Sequence, residues 1–76
     1  MIAARYPEVG TRFRLINDVD RFPFFVAKSG SIGTVVEVND GMIFTKMDEI
    51  IPGCEGWDNI IHWPFVGEFW EEAEIL

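Results

Sequence analysis

Cationic side chains are scarce in this chain: six Lys and Arg stand against thirteen Asp and Glu, a formal net charge of −7. So acidic a molecule repels a phosphate backbone and attracts basic surfaces, which disfavours direct nucleic-acid binding. Cysteine is nearly absent too. One thiol, Cys54, excludes an internal disulfide and fits a reducing compartment. One Cys and one His, His62, fall short of the four N/S ligands that zinc takes. No apolar run approaches the roughly 20 residues of a membrane helix, and Met1-Ile2-Ala3-Ala4-Arg5 turns polar without a signal-peptide core. Repeats and low-complexity tracts are missing. The expectation is a cytoplasmic protein with no membrane partner.

What is present is unevenly placed. Residues 1–36 carry five basic groups and three acids, so 5 − 3 = +2; residues 37–76 carry Lys46 and ten acids, so 1 − 10 = −9. Apolar content is 49%, with eleven aromatic side chains, which lets 76 residues form one domain without covalent staples.

Thr11 to Ile16 alternates, with Phe13 and Leu15 on one face and Arg12 and Arg14 on the other, the pattern of a half-buried strand. Asn17 to Ser31 carries Pro23, Gly30, Phe22, Phe24 and Phe25 and reads as a long, partly packed loop with room for an irregular hairpin. Val35-Val36-Glu37-Val38 and Met42-Ile43-Phe44-Thr45 flank Asn39-Asp40-Gly41, a strong hairpin signal because Asp-Gly tolerates positive φ. A two-residue turn sets Val38 opposite Ile43, Val36 opposite Thr45 and Thr34 opposite Met47, with that face inward. Val35, Glu37, Met42, Phe44 and Lys46 then face out. Asp48 to Asn59 is a second long loop broken by Pro52, Gly53 and Gly56. Ile60 to Trp63 is a short strand stopped by Pro64. One helical turn follows near Phe65 to Phe69, with Pro64 suited to its start, and then a closing strand ending at Leu76.

Five short strands in this order suggest a small, bent antiparallel barrel, since closure removes edges that invite aggregation. Three segments carry a family likeness: Gly10-Thr11-Arg12-Phe13-Arg14-Leu15, Gly30-Ser31-Ile32-Gly33-Thr34-Val35 and Glu72-Ala73-Glu74-Ile75-Leu76. They resemble SH3-like barrels, in an order similar to the electron-transport accessory group, meaning the photosystem I barrel subunit and the variable chain of ferredoxin-thioredoxin reductase. The Gly30-x-x-Gly33-x-Val35 step is similar to the KOW motif. The resemblance implies a mainly β chain, residues 1–76, folded as a single SH3-like five-stranded barrel with long loops and a short helical turn before the last strand. It also implies a docking role, although fold alone does not determine function.

Catalytic and ligand-binding chemistry finds little support in the residues. A Cys54–His62 nucleophile pair needs an electropositive setting, and the acids beside Cys54 oppose one. Asp48, Glu49, Glu55 and Asp58 lack the regular spacing of a calcium loop. Gly30-Ser31-Ile32-Gly33-Thr34 has no following lysine and leads into a strand, so it is no phosphate cradle. Arg12, Arg14 and Arg21 beside Phe22 and Phe24 imitate a nucleic-acid surface, but the charge favours their pairing with acids of the C-terminal half. No enzyme activity, cofactor or metal is expected.

Eleven rings exceed what a five-stranded barrel readily buries, so one or two should be exposed. Trp57, in a loop rich in Gly and acid, is the first candidate, and exposed aromatics mark interfaces. The reading is an acidic protein-binding module, with a partner site at Trp57, Asp48, Glu49, Glu55, Asp58 and Phe44. Two alternatives stand beside it. One is an acidic inhibitor of the anti-CRISPR or anti-restriction type that occupies the nucleic-acid channel of an enzyme; the other is a groove for proline-rich peptides.

Overall fold

The computed structural model describes residues 5–21 and 23–76. The expectations resting on Met1–Ala4 and on Phe22 lie outside these residues. Seven strands, β1 (Arg12–Leu15), β2 (Val19–Arg21), β3 (Phe25–Ala27), β4 (Ile32–Asn39), β5 (Met42–Met47), β6 (Ile60–Trp63) and β7 (Ala73–Ile75), are joined by a 3₁₀ turn (Glu55–Trp57) and one helix, α1 (Val66–Glu72). Five strands form an antiparallel sheet in the order β6-β5-β4-β1-β7, and β2 and β3 pair separately as a two-stranded hairpin. The large sheet ends at β6 on one side and β7 on the other, with no ladder between them.

Strand β1 buries Phe13 and Leu15 and exposes Arg12 and Arg14, as its alternation requires. The β4–β5 turn holds two residues, with Asn39 opposite Met42 and both Asp40 and Gly41 at positive φ, as a type I′ turn demands. Val38 pairs with Ile43 as expected. One residue further from the turn the expected register fails. A bulge at Val36 leaves Val35 opposite Thr45, Thr34 opposite Lys46 and Gly33 opposite Met47. The extra residue reverses the parity of the rest of β4, so Val35 is fully buried and Val36, expected inside, is 39% exposed. Gly33 sits where three strands meet. A Cβ there would lie 2.7 Å from Met47 Sδ and 2.9 Å from Phe13 Cζ, so no larger residue fits without a shift.

The tail differs slightly from its reading. Helix α1 runs seven residues and starts after Phe65, which leaves Pro64 outside the first turn. It buries Phe69 and then passes directly into β7, where Ala73 is buried opposite Leu15. Phe69 meets Phe13, Trp63 and Trp70 edge to face, at centroid separations of 5.2, 5.5 and 5.3 Å. The Trp63 indole N–H donates to Thr45 Oγ1 at 2.9 Å, and the threonine hydroxyl donates to the Ile61 carbonyl at 3.3 Å. These bonds satisfy the polar groups of a sealed core.

Candidate functional site

Three arginines of the N-terminal half pair with acids of the C-terminal half. Arg12 grips Asp48 with two bonds of 2.9 and 2.7 Å, Arg14 reaches Glu74 at 3.1 Å, and Arg21 reaches Glu68 at 3.2 Å. This is the expected pairing between the two halves of the chain. The bonds from Arg12 hold the Asp48 carboxyl below its usual range, and the same bonds raise the guanidinium. Asp48 is therefore a partner of Arg12 across the sheet, in an ion pair that stays exposed.

The loop between β5 and β6 is shaped by Asn59, a residue the sequence reading passed over. Asn59 is buried at a positive φ of 60°. Its amide donates to the carbonyls of Met47 and Glu49 at 2.9 and 2.7 Å and accepts from the Ile51 N–H at 2.9 Å. Three bonds from one side chain close the loop on itself. Ahead of it Glu55 accepts from the Gly53 N–H at 2.8 Å, and Asp58 caps the 3₁₀ turn in the left-handed region. Gly53, itself at positive φ, lies against the backbone carbonyl of Phe24, with no room for a Cβ. That contact seats the loop on the tip of the β2–β3 hairpin.

Between hairpin tip and loop opens a groove of about 560 Å³, lined by Asp20, Arg21, Phe24, Phe25, Trp57, Ile60 and His62. Trp57 is 45% exposed and Phe24 61%. Their ring centroids lie 5.6 Å apart, and Phe25 meets Trp57 edge to face at 6.0 Å. Trp57 thus joins an aromatic wall, neither standing alone nor plugging the core. On the far side of Ile60 a second cleft of about 460 Å³ is lined by Glu55 and Asp58, together with Lys46 and Ile50. Of the expected site residues, Trp57 lines the first groove, while Glu55 and Asp58, its neighbours on the same 3₁₀ turn, line the second. Phe44 reaches the groove only through His62, on which it stacks edge to face at 4.7 Å. Glu49 is exposed but lines neither cleft.

Phe24, Phe25 and His62 belong to the groove and were not expected in it. The signal was a Pro-Phe-Phe run between two short β-prone segments, which puts rings at a hairpin tip. Cys54 is buried and donates its thiol to the Ile60 carbonyl at 3.4 Å; burial, then the charge of Glu55, pushes its pKa up. A thiol so placed is held in its unreactive form. Among the described residues no group of three or more His, Cys, Asp or Glu side chains is placed to hold a metal ion. Likewise no described helix is long and apolar enough to cross a membrane. Compared with known families, characterised proteins and solved structures, the chain matches none of them.

Proposed function

We propose that this chain is a non-enzymatic, acidic protein-binding module whose partner presents a basic surface to the groove between the β2–β3 hairpin and the Asp48–Asn59 loop. The observation that carries this reading is the exposed Phe24–Trp57 ring pair in the groove, with Glu55 and Asp58 of the same loop lining the adjacent cleft. Exposed aromatics in a concave site are the usual anchors of an interface, and acids in the adjacent cleft favour a cationic partner. The order β6-β5-β4-β1-β7, with the hairpin inserted between β1 and β4, supports reading the sheet as an SH3-like barrel.

Affinity capture from native lysate tests the proposal, using wild type, Trp57→Ala and a Glu49→Lys, Glu55→Lys, Asp58→Lys variant. Asp48 is left intact because it holds Arg12. A partner retained by wild type should lose over ~2 kcal/mol of binding with Trp57→Ala, while the triple variant should mainly slow association. Salt should weaken the complex as the Debye length shrinks from about 10 Å at 0.1 M to about 3 Å at 1 M. A complex indifferent to both variants and to salt would remove the groove from the function.

A further inference from the structure

Strands β2 and β3 pair with each other in a two-stranded sheet, apart from the five-stranded one. Their neck is firmly closed. Val19 lies opposite Ala27 there, both buried in the core, and Asp18 accepts from the Ser29 N–H at 2.8 Å. Just below, the Leu15 N–H donates to the Ser31 carbonyl at 2.9 Å, and the Leu15 carbonyl accepts from the Gly30 N–H at 2.8 Å. Toward the tip, Arg21 lies opposite Phe25 and reaches across to the body of the molecule. It donates to the His62 carbonyl of β6 at 2.9 Å and to Glu68 of α1 at 3.2 Å, and its guanidinium lies over Trp63, 5.3 Å from the ring centroid. The Arg21 side chain is only 26% exposed, so these bonds are screened less than those of a surface pair. The walls of the groove thus belong to separate units: Phe24 and Phe25 come from the hairpin, Trp57 from the loop, and Ile60 and His62 from β6.

We propose that Arg21 is a latch. It holds the tip of the β2–β3 hairpin against β6 and α1, and when it lets go the tip swings out about its neck while the five-stranded sheet stays folded. The hinge falls between the Val19–Ala27 and Arg21–Phe25 pairs. Below it, Val19 and Ala27 remain in the core. Above it, opening breaks the bonds of Arg21, the ring contacts of Phe24 and Phe25 with Trp57, and the packing of Gly53 on the Phe24 carbonyl. Of the two hairpin rings only Phe25 is buried, since Phe24 already stands in solvent. An opening that exposes so little apolar surface lies well below global unfolding in free energy. Because it parts Phe24 and Phe25 from Trp57, it also abolishes the groove. Arg21 is therefore a positioning residue that acts through the hairpin, and the device stands on the fold alone, whatever the groove binds.

Native-state amide hydrogen exchange over a series of low urea concentrations provides the test. In the wild type, amides of β2 and β3 should open with a weak dependence on urea, and those of β4 and β5 with the full dependence of global unfolding. Arg21→Met keeps an apolar stem near Trp63 and removes the donors. It should speed exchange in β2 and β3 by about tenfold relative to β4 and β5, the scale of a charge-assisted hydrogen bond. Glu68→Gln, which retains an acceptor for Arg21, should shift the same amides in the same direction by less. Equal urea dependence in all four strands would overturn the hinged opening, and this comparison needs only the wild type, so it decides even where a variant does not fold. Exchange in β2 and β3 that Arg21→Met leaves unchanged relative to β4 and β5 would overturn the latch.

Discussion

The molecule has two aromatic poles built from the same residue types. At one, Phe13, Trp63, Phe69 and Trp70 interlock around α1, and the first three are completely buried. At the other, Phe24, Phe25 and Trp57 also meet ring to ring, yet Phe24 and Trp57 stay largely in solvent. Ring-on-ring geometry does not distinguish them. The supporting structure does: the sealed pole stands on ladder-paired strands with a helix as its cover, whereas the open pole joins a hairpin tip to an irregular loop with no helix or strand of the described residues over it. Aromatic content therefore contributes to stability at one end and to an exposed surface at the other.

The sharpest way to break that contrast is a pair of truncations. Trp63→Ala should cost roughly 3–5 kcal/mol of folding free energy, the range for a large core aromatic, because it opens a cavity and takes away the N–H that Thr45 accepts. Trp57→Ala should cost under about 2 kcal/mol, since its ring is already half solvated. Urea unfolding of both variants decides, and equal losses would show that the open pole is part of the core. A smaller effect is expected at Asn59. Asn59→Ala removes three buried bonds and puts alanine at positive φ, for a loss of about 2–4 kcal/mol. Asn59→Gly should recover only the backbone part, about 1 kcal/mol. Full recovery with glycine would mean that backbone conformation, and not the amide, holds the loop.

The smallest effect concerns pH and leaves both poles untouched. The folded-state pKa of Asp48 is depressed, so its stabilisation is fully present above the unfolded carboxylate value near 3.8 and is lost as pH falls through the lower, folded value. The unfolding midpoints of wild type and Asp48→Asn should therefore differ modestly at neutral pH and converge in strong acid. A gap that persists at acid pH would assign the effect of Asp48 to packing instead. Because Arg12 and Asp48 are both exposed, raised salt should narrow the neutral-pH gap as well.

Much of this architecture was legible from local pattern. Phe13 and Leu15 alternate as they must, Asp40-Gly41 makes the turn it promises, and Ile60–Trp63 forms a strand with the expected bounds. The cross-chain pairing of arginines with acids followed from the uneven charge. The bulge at Val36 was hidden because Val35 and Val36 are chemically alike, and nothing local says which valine is the extra one. Asn59 was missed for a different reason: its three partners are spread over Met47, Glu49 and Ile51, and only the folded loop brings them to one amide. The groove was half visible. Trp57 stood out by the poverty of its neighbourhood, but its partners Phe24 and Phe25 arrive from a hairpin about thirty residues earlier, a distance that no local pattern spans.

The two side chains that cap β6 bear on how copies of this chain meet one another. An outermost strand with vacant acceptors is a template on which a neighbouring molecule can extend the sheet, and repetition of that step builds a fibre. Here a guanidinium and a thiol occupy the carbonyls of two alternate residues on that margin, His62 and Ile60, leaving an incoming backbone N–H fewer acceptors to recognise. Arg21 thus discourages polymerisation while also tying the hairpin to the sheet. In a chain this rich in apolar residues, such bonds at the β6 margin act against self-association alongside the negative charge.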